Sequence, residues 1–373
     1  MPPPVSGWKI ATGVLGGAAG LAAGVGATAV AVGRLATGRE QVDLAERFAP
    51  LPVDRCGTVT ADDGVRLWYE EAGPADAPLT AVFIPGFALS LGIFYFQRQA
   101  LAQRFGDRLR MVFYDPRGHG RSERGDPARA TIDQLGQDLS AVLDALAPTG
   151  PVVLVGHSMG GMTVMALAQA RPELFTARRV AGVVLVSTST GKLGGVTLGL
   201  PSLVAKLRAP LLPLLLRGAR HGAGLVERSR ALGADLAWVI TRRLSFASDD
   251  ADPARVEYLN AMIAATRIEV IADFYPTLMS HDRRAALPVL AGVRTVIICG
   301  DKDLLTPIAH SVEMAGQLAK ASFVVIPRGG HVALLERPQL VTEPIAELIE
   351  DTLRDIARRR LRHWWRPFAG DPQ

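Results

Sequence analysis

The sequence predicts an α/β fold, a mostly parallel twisted sheet with helices on both faces. Short apolar runs rich in Val, Ile and Phe alternate with longer stretches of helical periodicity, the pattern of βαβ units. The strand-like runs are almost wholly apolar, as expected of strands covered on both faces. One interval breaks the alternation: between Val186 and Thr295 no strand-like run is found.

Taken in order, residues 1–50 are a hydrophobic segment and linker. Ile10–Val32 is an uncharged run of 23 residues, with Lys9 before it and Arg34 and Arg39 after it. A helix of that length spans about 34 Å, enough for a hydrocarbon core of about 30 Å. Its eight alanines and six glycines, with Gly13/Gly17 and Gly16/Gly20/Gly24 four apart, would permit close helix–helix approach in lipid. An N-terminal hydrophobic helix acting as a membrane anchor is expected, and with it a membrane-associated protein. A cleaved signal ending near Ala27-Thr28-Ala29 is the alternative, but the run exceeds the roughly 7–15 residues usual there. Positive charge on the two sides is too even to set an orientation.

Residues 51–188 form the first part of the core. Cys56–Thr60 and Val65–Glu70 flank Asp62-Asp63-Gly64, a hairpin signal. Thr80–Ile84, Met111–Tyr114, Val152–Val155 and Gly182–Val186 read as strands buried on both faces, with helical patterns at Phe94–Phe105, Thr131–Leu146 and Ser158–Arg171 between them. Residues 293–352 complete the core with strands of the same kind at Thr295–Cys299 and Phe323–Ile326. The interval 189–292, which includes Leu211–Leu216 and a helical stretch Ala254–Ile271, is expected to be a helical lid. Inserted before the strand at 295–299, it would sit over the crevice where open α/β sheets bind ligands.

Residues 353–373 are a basic tail. Six arginines lie between Leu353 and Arg366 against one acid, Asp355; without that stretch 35 of the 41 bases and 35 of the 36 acids remain. The net charge of +5 therefore belongs to the tail, and no basic face points to nucleic acid. Apolar residues at helical spacing (Leu353, Ile356, Ala357, Leu361, Trp364, Trp365) suit either a membrane surface or a last helix packed on the sheet with a solvated end. Cys56 and Cys299 are the only cysteines, which excludes a disulfide framework.

Gly156-His157-Ser158-Met159-Gly160 follows one predicted strand and opens a helix. On such a turn a serine hydroxyl is held above the sheet at a helix N-terminus, where a developing anion is stabilised. Serine needs a base, and the base an orienting carboxylate, which in this arrangement come later in the order acid then histidine. His331, after Gly329-Gly330, follows the last strand and is the expected base. The strand ending at Val186 continues Ser187-Thr188-Ser189-Thr190 with no acid, whereas Cys299 is followed by Gly300-Asp301-Lys302-Asp303. Asp303, further into the loop, is the expected acid, with Asp301 as the alternative. Phe87, after Pro85-Gly86, and Met159 are the expected oxyanion-hole donors through their N–H groups.

With Asp115-Pro116-Arg117-Gly118-His119-Gly120-Arg121-Ser122, these motifs make residues 56–354 resemble the α/β-hydrolases with a helical lid. In that family the Asp115 motif forms a structural turn, and many members carry His where Pro85 stands. The resemblance implies a serine hydrolase of carboxylic esters acting through an acyl-enzyme, with no cofactor and no metal; the apolar lid and the expected anchor point to an ester or lipid substrate with hydrophobic acyl chains. A serine nucleophile argues against the epoxide hydrolase and dehalogenase branches. Cofactor-free peroxidase or perhydrolase chemistry and carbon–carbon bond hydrolysis use the same three side chains and remain alternatives, with a non-catalytic binding module behind them. Oligomeric state is open.

Overall fold

The computed structural model describes residues 43–197, 234–247 and 251–365; the apolar run 10–32 and Leu211–Leu216 lie outside them. Eight strands make one sheet: β1 Arg55–Thr60, β2 Arg66–Ala72, β3 Leu79–Ile84, β4 Leu109–Tyr114, β5 Val152–His157, β6 Val180–Val186, β7 Arg294–Gly300 and β8 Ser322–Ile326. Their spatial order is β1-β2-β4-β3-β5-β6-β7-β8. The β1–β2 and β2–β4 pairs are antiparallel and every later pair is parallel. At the β1–β2 hairpin Gly64 takes φ +85°, which a side chain would resist.

Successive residues of the central strands feed two cores. On one face Phe83, Val153, Val155, Val184 and Ile298 meet α1 (Tyr95–Phe105) through Leu101 and the last helix through Ile345 and Ile349. On the other, Val82, Leu154, Leu185 and Ile297 meet α2 (Ile132–Leu146) through Leu139 and Val142, and α3 (Met159–Ala170) through Val164 and Leu167. Each such Leu, Ile or Phe, buried from water, contributes roughly 1.5–3 kcal/mol. Thr131 caps α2, its Oγ1 accepting the Gln134 N–H at 3.1 Å.

Between β6 and β7 the described elements are chiefly helices: α4 (Ala234–Ser245), α5 (Pro253–Ala265) and α6 (Ile268–Ser280). The single helix expected over Ala254–Ile271 is instead two. Thr266 (φ −79°, ψ 126°) and Arg267 (φ −63°, ψ 143°) are extended, and the Thr266 hydroxyl bonds back to Met262 O, competing with the helical ladder. A second correction concerns β8, expected to be covered on both faces. It is the edge strand, and Phe323 and Val325 are 37% and 39% exposed.

After β7 and β8 come α7 (Ile308–Gln317) and α8 (Pro338–Trp365). The basic segment begins inside α8 and not after it: Leu353 is buried, Ile356 packs on the core, and Arg294 pairs with Asp351 and Asp355 at 3.1 and 2.9 Å. Among the described residues no helix is long and apolar enough to cross a membrane.

Candidate active site

The turn after β5 places Ser158 at φ +53° and ψ −117°, a conformation that costs a residue with a side chain about 1–3 kcal/mol. Neighbouring backbone fixes it there. Ser158 N–H donates to Val186 O at 2.9 Å, and Ser158 O accepts the Gly161 N–H at 2.9 Å. Glycines on either side are demanded by contact. A Cβ on Gly160 would run into the Ile84 carbonyl, and one on Gly156 would lie 2.6 Å from the backbone of Gly160.

Because β5, β6, β7 and β8 are consecutive neighbours, the loops leaving their C-terminal ends converge. The loops after β7 and β8 touch backbone to backbone: Lys302 N–H bonds Gly329 O at 3.0 Å, and a Cβ on Gly300 would collide with that same carbonyl. The result is a row of three side chains. His331 Nε2 lies 3.0 Å from Ser158 Oγ, and His331 Nδ1 lies 2.9 Å from Asp303 Oδ2. Nδ1 facing a carboxylate carries the proton, which leaves Nε2 free to take one from the serine.

Asp303 is 4% exposed. Burial alone would raise its pKa, but the adjacent His331 and hydrogen bonds from Thr306 outweigh that and hold the carboxyl below its ordinary range. Its Oδ1 accepts the Leu305 and Thr306 N–H groups, each at 2.8 Å, and its Oδ2 accepts the Thr306 hydroxyl at 2.7 Å. Asp301 stays out of the row, its N–H on Ile326 O.

The residue before Ser158 is also in place. His157 is fully buried; its Nε2 meets the His331 carbonyl at 3.1 Å, so Nε2 is the protonated nitrogen. Burial, reinforced by the nearby His331, lowers its pKa to about 3, and the ring is neutral. The chain at Gly86 passes so close that a Cβ there would stand 3.1 Å from Ser158 Cβ. Phe87 thus borders the pocket next to Ser158, and Met159 opens α3. Among the described residues neither amide N–H finds an acceptor in the protein.

The Asp115 motif has a different task. Asp115 accepts the Leu91 N–H at 2.7 Å on one oxygen and the Arg121 N–H at 2.8 Å on the other. Burial pushes its pKa to about 6 although both amides pull the other way. Arg117 is buried between Asp63 and Asp138, at 2.7 and 2.6 Å. Arg117, just after β4, thereby ties that strand's end to the β1–β2 turn and to α2.

Above Ser158 is a cavity of about 380 Å³. Phe87 and Met162 border it from the core, Leu244 from α4, Leu259 and Ile263 from α5, and Leu278 from α6. His331, Ser245, Tyr275 and Thr306 are its other polar neighbours, and no Lys, Arg, Asp or Glu is among the described residues that line it. Among the described residues no cluster of His, Cys, Asp or Glu is arranged to hold a metal ion. Sequence reasoning did not find the roles of His157 and Thr306, nor of Glu336, whose carboxylate accepts the Gly330 N–H at 2.7 Å. Only the place of His157 inside the pentapeptide hinted at one of them.

Residues 82–338 match the model of a family described as the alpha/beta hydrolase fold. The chain is 32% identical over 333 residues to sn-1-specific diacylglycerol lipase ABHD11 of Mus musculus, covering 89% of this chain and 94% of that one. It is 27% identical over 294 residues to 3-oxoadipate enol-lactonase 2 of Acinetobacter baylyi, covering 79% and 96%. A solved thermophilic esterase from Thermogutta terrifontis superposes with a TM-score of 0.62 at 26% identity, over 80% of this chain and 99% of that one. Extending over most of the sheet and the loops that converge on Ser158, the family match establishes that this chain belongs to the α/β-hydrolase fold family and is a hydrolase.

Proposed function

We propose that the protein is a serine hydrolase that cleaves carboxylic esters with hydrophobic acyl groups through an acyl-enzyme. The observation that carries this reading is the hydrogen-bonded row Asp303–His331–Ser158 at the floor of an apolar cavity. Ser158 Oγ attacks the ester carbonyl while His331 Nε2 takes its proton, and Asp303 holds the imidazole in the right tautomer and stabilises its charged form. The N–H groups of Phe87 and Met159 receive the oxyanion, an interaction worth about 3–4 kcal/mol per donor in sites of this kind. His331 then gives its proton to the leaving alcohol. Water, deprotonated by the same imidazole, releases the acid and restores Ser158.

The helices of the interval 189–292 act as a lid whose inner face selects the acyl group, and residues 10–32 tether the enzyme to a membrane. Names among its relatives support an ester substrate, since a lipase, an esterase and a lactonase all open acyl–oxygen bonds. The test is twofold. A fluorophosphonate probe should label the wild type and leave Ser158→Ala unlabelled; label that persists in the variant removes Ser158 from the mechanism. p-Nitrophenyl esters should turn over with a preference for acyl chains longer than acetyl. No turnover at any length would turn the reading to perhydrolysis or carbon–carbon hydrolysis.

A further inference from the structure

The loop that carries His331 is gripped at three successive residues. Gly330 N–H donates to Glu336 Oε2 at 2.7 Å. The His331 carbonyl accepts from His157 Nε2 at 3.1 Å. Val332 N–H donates to Ser245 O at 3.1 Å, at the end of α4. Two of these three partners are buried polar side chains: His157 has no exposed surface and Glu336 is 5% exposed.

Each of the two side chains serves a second neighbour of the base. The His157 ring, 5.1 Å from that of His331, belongs to the turn that holds Ser158, so one residue fixes the spacing between the two backbones. Its Nδ1 sits where a Cβ on Gly86 would come within 2.9 Å, which places the ring between the base and the segment before Phe87. Glu336 also accepts the Ala247 N–H at 3.1 Å and so ties the base loop to the stretch following α4. No slack is left between these segments. A Cβ on Gly330 would stand 2.5 Å from Ser245 O and 2.7 Å from Ala247 N.

We infer that His157 and Glu336 are positioning residues for His331, clamping its backbone from the nucleophile side and from the α4 side so that its ring meets Ser158. The inference rests on the reading of Ser158 as nucleophile and His331 as base. A proton acceptor displaced by about 1 Å can cost about 100-fold in rate, so a loosened clamp acts on chemistry more than on binding.

The experiment measures fluorophosphonate labelling and p-nitrophenyl ester hydrolysis in the full chain, with every rate expressed per labelled site so that misfolded protein does not count. His157→Leu and Glu336→Leu should each lower the labelling rate and kcat about 10- to 100-fold, with KM within about threefold of wild type. His157→Gln, which can return an N–H to the place of Nε2, and Glu336→Gln, which keeps an acceptor oxygen, should recover most of the loss. Where a Leu variant does not fold, His157→Asn and Glu336→Asp take its place: both are polar but too short to reach, and both should be slow. Rates per site within twofold of wild type in the Leu variants, or in their short replacements, overturn the inference. A wild type that takes no label overturns the reading of Ser158 itself, and the two failures are thereby told apart.

Discussion

Asp303 shows how much one carboxylate can be asked to do. It accepts from two backbone amides, a hydroxyl and His331, and it is almost wholly enclosed. Asp303→Asn would set an amide N–H against one of those donors and favour the wrong imidazole tautomer; kcat should fall about 10⁴-fold while the fold survives, as thermal melting would show. An unchanged kcat would remove Asp303 from the row. Asp115 gives a separate, pH-dependent prediction. Its folded pKa of about 6 lies above the ordinary value of 3.8, so between those values the folded state holds a proton that the unfolded chain has released. Stability from this group is therefore greatest in acid and is lost as pH rises through about 6, a change on the order of 2–3 kcal/mol. Buried His119 and His157 run the opposite way: held to about 4 and about 3, they stay neutral while the unfolded chain takes protons below 6.5, so stability falls with acid. The difference between wild type and Asp115→Asn isolates the carboxylate. Urea midpoints at pH 5 and pH 7 should show wild type gaining on the variant at the lower pH, and an equal gap at both would refute the assignment.

At the scale of elements, the central strands were legible because burial on two faces leaves few polar positions, and β3 and β5 are buried along their whole length. The same rule misjudged β8, since an edge strand can be as apolar as an inner one while Phe323 and Val325 face outward. The break between α5 and α6 was not legible either. Nothing in the run from Ala254 to Ile271 stops a helix except Thr266, whose choice of a bond to Met262 O is made by the packed structure. That break matters because α5 and α6 present Leu259, Ile263 and Leu278 to the cavity from two directions. Ile263 is only partly buried, so Ile263→Trp should intrude on the cavity with little effect on folding. kcat/KM for p-nitrophenyl octanoate should drop about tenfold or more while acetate hydrolysis stays within about threefold. Parallel losses on both esters would mean that Ile263 does not face the acyl chain.

Across the whole molecule, Ser158 and His331 stand 173 positions apart in the chain and meet because β5 to β8 lie side by side. The turn chemistry of Gly156–Gly160 and the Gly-Gly before His331 could be read directly, and Gly156, Gly160 and Gly330 each answer a close backbone contact. Preference for Asp303 over Asp301 came from loop position; of the two, Asp303 is the one whose carboxylate lies 2.9 Å from His331 Nδ1. The grip of His157 and Glu336 on the base loop could not be read, because both contacts join segments that only the folded sheet brings together. Charge was legible as a property of the C-terminal segment, whose first turns are nonetheless part of α8. An apolar cavity and the uncharged run 10–32 lead to one prediction together. If residues 10–32 tether the chain to a membrane, as proposed, they should govern its location and leave the chemistry alone. The full chain should float with phosphatidylcholine vesicles and resist alkaline carbonate extraction. A chain beginning at residue 43 should remain behind while hydrolysing p-nitrophenyl butyrate at the same kcat. An intact mass placing the mature N-terminus just after Ala29 would identify a cleaved signal instead, and equal flotation of the two chains would move the membrane contact away from residues 10–32.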